Sequence, residues 1–282
     1  MDAIDSTASL KNKIPSIDGS APIAFFDSGV GGLPYLRWAQ ENIPGETYVY
    51  LLDRAHFPYG IKSKEEVFQA VSESIDRLIK IVHPKIVVLA CNTATVIALK
   101  ELRSLFPDTP FVGVVPAVKP AAERTRGKRI GVMATNRTLQ DTYLDNLIRQ
   151  FASNCEVVRV ADPEIVSFVE RRLFESNREE RSRIIQEAAR VLREQKVDEV
   201  VLACTHFLYL EEELREALGK EIGLLDSREG VGRQLKRILE TNSVPNLQPK
   251  GRDLMYLTGT EPIEQRYYTF AHMFGLEVGG TL

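Results

Sequence analysis

The sequence predicts an α/β protein built from a duplicated half: two similar domains, each a mainly parallel sheet flanked by helices, related by a pseudo-twofold and facing each other across a cleft. Three observations predict this. The stretch Val87-Val88-Leu89-Ala90-Cys91 recurs letter for letter as Val200-Val201-Leu202-Ala203-Cys204. Each copy is an apolar, β-branched run of the kind buried on both faces of a parallel sheet. Each is also bracketed by helical patterns, 64–82 and 94–104 around the first, 178–195 and 210–218 around the second. Both cysteines therefore fall where a parallel strand gives way to a helix, the edge at which open α/β sheets bind ligands.

The elements read in order as follows. Ile23-Ala24-Phe25-Phe26 is a short strand ending at Asp27-Ser28, turning through Gly29-Val30-Gly31-Gly32 into a helix over 33–42. Gly-x-Gly-Gly reads either as a partial phosphate loop or as glycines permitting a tight turn; in both cases its N–H groups suit an anion. A second strand, 47–52, ends at Asp53, and Pro58-Tyr59-Gly60 is a turn on the same edge. A fourth strand, 111–115, gives way at Pro116 to a break running through Pro120. The pattern then restarts. A strand at 129–134 ends at Thr135, a helix covers 139–151, a strand at 156–161 ends at Asp162-Pro163, and helical pieces carry Glu170. Asp27 with Ser28, Asp53 and Cys91 thus find counterparts in Thr135, Asp162 and Cys204. A strand at 222–225, a helix at 230–240, a short strand at 254–258 and a helix at 265–274 complete the chain. The expected division is a loosely ordered polar tail at 1–21, a first domain of 22–115 with 227–282, and a second of 116–226.

Composition narrows the function. The net charge of −3 and the lack of a basic stretch give no reason to expect nucleic acid or a polybasic membrane contact. No apolar run reaches the length of a bilayer span, and the first 21 residues, with Asp2, Asp5 and Asp18, lack the apolar stretch of an export signal. With three cysteines and no such signal, the expected compartment is the cytoplasm, with the thiols reduced.

Four readings compete for Cys91 and Cys204. A free cysteine is most often a small buried hydrophobe, but repetition in matching places, with polar residues next in sequence, weighs against that. A disulfide conflicts with the reducing compartment. A zinc site from Cys91, Cys204 and His206 lacks the closely spaced ligand pairs of structural zinc. The fourth reading is acid–base catalysis with one thiol on each side of a substrate: one removes a carbon-bound proton and the other delivers a proton to the opposite face. This inverts a stereocentre without metal or cofactor. The developing charge needs donors, for which helix-start N–H groups and Ser28, Asn92, Thr93 and Thr205 are suited.

The motifs Phe26-Asp27-Ser28-Gly29-Val30-Gly31-Gly32-Leu33, Pro58-Tyr59-Gly60, Ala90-Cys91-Asn92-Thr93-Ala94 and Cys204-Thr205-His206-Phe207 occur in the order found in the glutamate racemases of the aspartate/glutamate racemase superfamily. The chain resembles that family from Ile23 to about Phe274. The resemblance implies a cofactor-independent dimer that interconverts L- and D-glutamate and supplies D-glutamate for peptidoglycan. Carried over by motif, Cys91 and Cys204 are the two acid/base groups. Asp27 and Ser28 contact the amino-acid head or assist the first thiol, and His206 supports the second. Tyr59, Gly60, Asn92, Thr93, Thr135, Thr205 and His206 form the substrate cradle. Glu170 is matched to a carboxylate near the second cysteine, against the alternative of an exposed helix charge beside Arg171 and Arg172. Asp53 fits either a family position or a strand-end cap. The chain departs from the pattern at His56, Arg137, Ala203 and Leu208-Tyr209, which touches packing and side-chain preference rather than the proton carriers. Rivals are a racemase of another small acidic amino acid, such as aspartate, and a non-catalytic two-domain binding module. Cys155, without a counterpart, reads as a bystander thiol, His83 and His272 as surface or packing residues, and Trp38 as half-buried core.

Overall fold

The computed structural model describes residues 20–241 and 251–282. All but the last two residues of the expected tail lie outside that range. Ten strands form two sheets: β1 (Ile23–Asp27), β2 (Tyr48–Leu52), β3 (Ile86–Leu89), β4 (Phe111–Gly113), β5 (Arg129–Ala134), β6 (Glu156–Ala161), β7 (Glu199–Ala203), β8 (Gly223–Leu225), β9 (Leu254–Leu257) and β10 (Glu277–Thr281). Every pairing is parallel. The first sheet has the order β10-β9-β2-β1-β3-β4 and the second β6-β5-β7-β8.

The two orders share one pattern. In the run β2-β1-β3-β4 the first strand of its half sits second, beside the cysteine strand, and β6-β5-β7-β8 repeats this. Register follows as well. Phe26 pairs with Leu89, so two residues further on Ser28 stands beside Cys91; Ala134 pairs with Ala203, so Thr135 stands beside Cys204. The expected duplication is present, and the first sheet extends it by β9 and β10. The strands β1, β3 and β7 are buried along their whole length, as their apolar runs require.

Several elements differ from expectation for local reasons. The helix expected at 139–151 is two, Asn136–Leu139 and Thr142–Phe151, because the Asp141 carboxylate caps the second by accepting from the Tyr143 N–H at 2.9 Å. The helix expected at 178–195 breaks at Ile185 into Arg178–Ile184 and Gln186–Glu194. The break expected through Pro120 is instead a helix, Val118–Arg124, in which Pro120 occupies the first turn, where no N–H is needed. After Cys204 a 3-10 segment, Thr205–Leu210, precedes the helix Glu211–Leu218. β10 carries Gly279 and Gly280 and no apolar alternation, which hides it from sequence reading.

The helix Lys64–Val82, which leads to β3, is specified almost entirely by local rules. Its apolar residues Val67, Val71, Ile75 and Leu78 recur at helical spacing and are all buried. Ser63 and Glu66 form a reciprocal cap: the Ser63 hydroxyl accepts from the Glu66 N–H at 3.2 Å and the Glu66 carboxylate accepts from the Ser63 N–H at 2.8 Å. Ser63→Ala is expected to cost about 1 kcal/mol, lowering the melting temperature by roughly 2–4 °C without changing catalysis. Thermal melts beside an activity assay check this.

Candidate active site

Cys91 immediately precedes the helix Asn92–Leu105, in extended backbone conformation, with its side chain buried. Its Sγ lies 3.7 Å from the Ser28 hydroxyl. Ser28 in turn donates to Asp27 Oδ1, from its N–H at 2.6 Å and its hydroxyl at 3.2 Å, while Thr205 Oγ1 donates to Asp27 Oδ2 at 3.0 Å. Asp27 is fully buried. Burial pushes its carboxyl up to about 6, against the opposing pull of the His206 charge and of hydrogen bonds from Cys91 and Thr205. Burial also pushes the Cys91 thiol well above its ordinary range, and the Asp27 charge adds to this.

Cys204 occupies the matching place before the 3-10 segment Thr205–Leu210, and its Sγ lies 3.9 Å from His206 Nδ1. The other ring nitrogen, Nε2, is 2.8 Å from Glu170 Oε1. Burial works against charging His206, but the hydrogen bonds to Cys204 and Glu170 and the charge of Glu170 outweigh it and hold the imidazole well above its usual range. Glu170 lies on the helix Pro163–Arg172 and is 3% exposed, so it is a buried partner of His206 rather than a surface charge.

The glycine loop explains how the two halves come this close. Glu170 Oε1 also accepts from the Val30 N–H at 2.6 Å, and the Gly32 N–H goes to the Tyr50 hydroxyl at 3.1 Å. The loop does bind a carboxylate, but one supplied by the second half of the chain. A Cβ on Gly29 would stand 1.9 Å from Glu170 Oε1, and one on Gly31 would stand 2.3 Å from Thr205 Oγ1 and 2.6 Å from His206 Nδ1. Close approach, rather than a phosphate or a turn needing positive φ, is the reason for these glycines.

Between the two thiols lies a cavity of about 110 Å3 lined by Asp27, Ser28, Tyr59, Gly60, Cys91, Asn92, Thr93, Thr135, Cys204, Thr205 and His206, among others. Of the residues that the sequence offers for the site, all line it except Glu170, which lies behind His206, and Asp53, which lies behind Tyr59. Both polar atoms of the Asn92 side chain are buried without a partner among the described residues, and the side chain lines the cavity, where a bound molecule can satisfy them. The hydroxyls of Thr93, Thr135 and Thr138 form a triangle with sides of 3.0 to 3.1 Å across the cleft. Thr138 is not among the site residues proposed from the sequence, although its spacing of three from the cap residue Thr135 is a signal. Asp53 is fully buried and does more than end a strand: it accepts from the Thr258 hydroxyl at 2.5 Å, lies 2.9 Å from His56 Nδ1 and accepts from the Tyr59 hydroxyl. It thereby ties the cavity edge at Tyr59 to β9.

A family model described as Asp/Glu/Hydantoin racemase matches residues 35–229. The chain belongs to this racemase family. It is an isomerase by that membership, and curated relatives agree. It is 37% identical over 255 residues to the glutamate racemase of Shewanella sp. (strain MR-7), covering 90% of each chain, and 40% identical over 235 residues to that of Sphingopyxis alaskensis, covering 82% of this chain and 87% of the relative. Among solved structures, the Escherichia coli glutamate racemase in complex with L-glutamate and the activator UDP-MurNAc-Ala superposes with a TM-score of 0.82 at 32% identity, covering 93% of this chain and 98% of the other.

The departures from the family pattern sit beside these groups. Ala203 is fully buried behind Cys204, and the Tyr209 hydroxyl donates to the Val30 carbonyl at 2.8 Å while its ring meets Phe270 edge-on, adding a further tie between the halves of this racemase. His56 is engaged by Asp53, as above. Cys155 is half-buried beside Asn154, His83 and His272 are exposed, and Trp38 is half-buried, as their residue patterns suggest.

Because the Asp27 carboxyl is raised above its unfolded value, the folded state holds its proton over roughly pH 4–6 and loses relative stability as pH rises through that window. The penalty is complete above about pH 6 and amounts to about 3 kcal/mol. Asp27→Asn removes this titration. The stability of the variant relative to the parent is therefore expected to improve by that order between pH 4 and pH 7, which urea unfolding at a series of pH values checks. Gly29→Ala, by contrast, should destabilise by about 1–3 kcal/mol through overpacking against Glu170 at any pH.

Proposed function

We propose that the protein interconverts L- and D-glutamate by a two-base mechanism in which Cys91 and Cys204 are the proton carriers, without a cofactor. The observation that supports this most is the placement of the thiols. Each stands at the end of an equivalent strand, lines the same cavity and has its own proton-handling neighbours: Ser28 and Asp27 for Cys91, His206 with Glu170 for Cys204. The names of the relatives supply the substrate, glutamate.

On this reading one cysteine, as thiolate, takes the proton from Cα. The Cα–H bond breaks, the S–H bond forms, and the electron pair spreads into the substrate carboxylate. The other cysteine, as thiol, gives its proton to the opposite face and becomes the thiolate. The reverse direction exchanges their roles. The enolate-like charge is met by the N-terminal N–H groups of the helix Asn92–Leu105 and by the unpartnered Asn92 amide, which is held in place before the charge develops. Asp27 faces the substrate ammonium, whose positive charge offsets the carboxylate that otherwise holds Cys91 protonated. Thr93, Thr135 and Thr205 hold the carboxylates, and Tyr59 and Gly60 close the edge.

The functional units on this reading are 22–115 with 227–282 and 116–226, with the chemistry at their junction. The same reading makes the protein a cytoplasmic homodimer whose D-glutamate feeds peptidoglycan. Among the described residues no helix is long and apolar enough to cross a membrane, and all three cysteines are free.

Incubation with L-glutamate in D2O, without added cofactor, tests the reading. Optical rotation is expected to fall toward zero while deuterium enters Cα, and a parallel run with L-aspartate should be slow or silent. Replacing Cys91 or Cys204 by Ala should each lower kcat by about 10²–10⁴-fold. Racemisation that survives either replacement would overturn the two-base assignment, and turnover of aspartate alone would overturn the substrate.

A further inference from the structure

We infer that Arg171, at the mouth of the cleft, is the cation that draws in the acidic amino acid and faces its distal carboxylate during entry, so that it sets the preference for an anionic substrate; this rests on the racemase reading above. The helix Pro163–Arg172 presents Pro163, Val166, Ser167 and Arg171 to the cavity, at spacings of three, four and eight from the first. That spacing places them on one helical face. Pro163, Ser167 and Arg171 are exposed, and Arg171 is the one that carries a charge.

The charge balance of the cavity gives this residue its weight. Its lining contains one carboxylate, Asp27, and two cationic side chains, His206 and Arg171. His206 is already matched by Glu170 at 2.8 Å. Its neighbour Arg172 is matched by Glu180 at 2.8 Å and lies over the Phe168 ring. Arg171 has no ion-pair or hydrogen-bond partner among the described residues, so its charge is directed at solvent and at whatever enters. Without it, an amino acid with two carboxylates approaches a cleft whose balance of fixed charge favours repulsion, in a chain that is acidic overall. An exposed cation at the cleft mouth raises the local concentration of an anion and becomes less effective as salt screens it.

Steady-state kinetics with L-glutamate at low and high ionic strength test this on the parent, Arg171→Lys, Arg171→Ala and Arg171→Glu. Arg171→Ala is expected to raise KM several-fold and Arg171→Glu roughly tenfold at low salt. In both, kcat should hold, because the attraction acts on entry and does not change between the bound substrate and the transition state. Arg171→Lys should restore most of the KM, and the differences should shrink at high salt, neither of which a merely structural role for the side chain produces. An unchanged KM in Arg171→Glu with an active parent overturns this inference and leaves the racemase reading standing. A fall in kcat that Lys does not rescue also overturns it. A parent inactive on glutamate overturns both.

Discussion

One buried carboxylate holds the architecture of the site together. Glu170 Oε1 accepts from the backbone of Val30 in the first half and pairs with His206 in the second, at 2.6 and 2.8 Å. A carboxylate removed from water at this depth is tolerated only when its lone pairs are used. The pairing therefore fixes where the halves can sit as firmly as it fixes the imidazole. Gly29 and Gly31 make the arrangement possible by leaving no Cβ in the path of Glu170, Thr205 and His206. The orientation of the His206 ring toward Cys204 follows from this contact, and so does the closeness of Thr205 to Asp27.

The duplication holds in topology over four strands of each sheet and is broken in chemistry. Both cysteine strands lie between the same neighbours, and continuing the register puts Ser28 beside Cys91 and Thr135 beside Cys204. Yet Thr135 turns to Thr93 across the cleft and to Thr138 in its own half, and the second thiol takes its partner from the residue two places along the chain. Asp162, the counterpart of Asp53, caps the helix that carries Glu170, whereas Asp53 gathers Tyr59, His56 and Thr258. The same strand-end position thus supports the site in both halves, once through a helix start and once through a loop.

Most of the fold could be read because its signals are local. Apolar strands buried on both faces and the helical spacing of 64–82 each specify an element without help from distant residues. The elements that escaped reading depend on tertiary context: β10 is completed by pairing with β9, and the break at Asp141 is decided by a single side-chain cap. At the site, the thiols and their immediate polar followers are visible in sequence because they recur. The role of Glu170 is reached only through the family resemblance, since a carboxylate followed by two arginines reads by itself as surface until the Val30 N–H and His206 are seen around it. The glycine loop misleads for the same reason, because its anion comes from more than a hundred residues away.

On the two-base reading, this asymmetry suits a reaction whose two directions are equally weighted. L- and D-glutamate have the same free energy in solution, so each thiol has to serve as base in one direction and as acid in the other. Identical surroundings are unnecessary; each thiol needs a neighbour that tolerates both of its charge states. Cys91 has an anionic neighbour in Asp27, which burial brings close to neutral pH, and Cys204 has a cationic one in His206. Moving one proton from one thiol to the other then exchanges charge between sites of opposite bias. Thr205, adjacent in sequence to Cys204 and hydrogen-bonded to Asp27, links the two surroundings directly. That bond is available only while Asp27 and the second half stay in register, which returns the chemistry to the contact between Glu170 and the glycine loop.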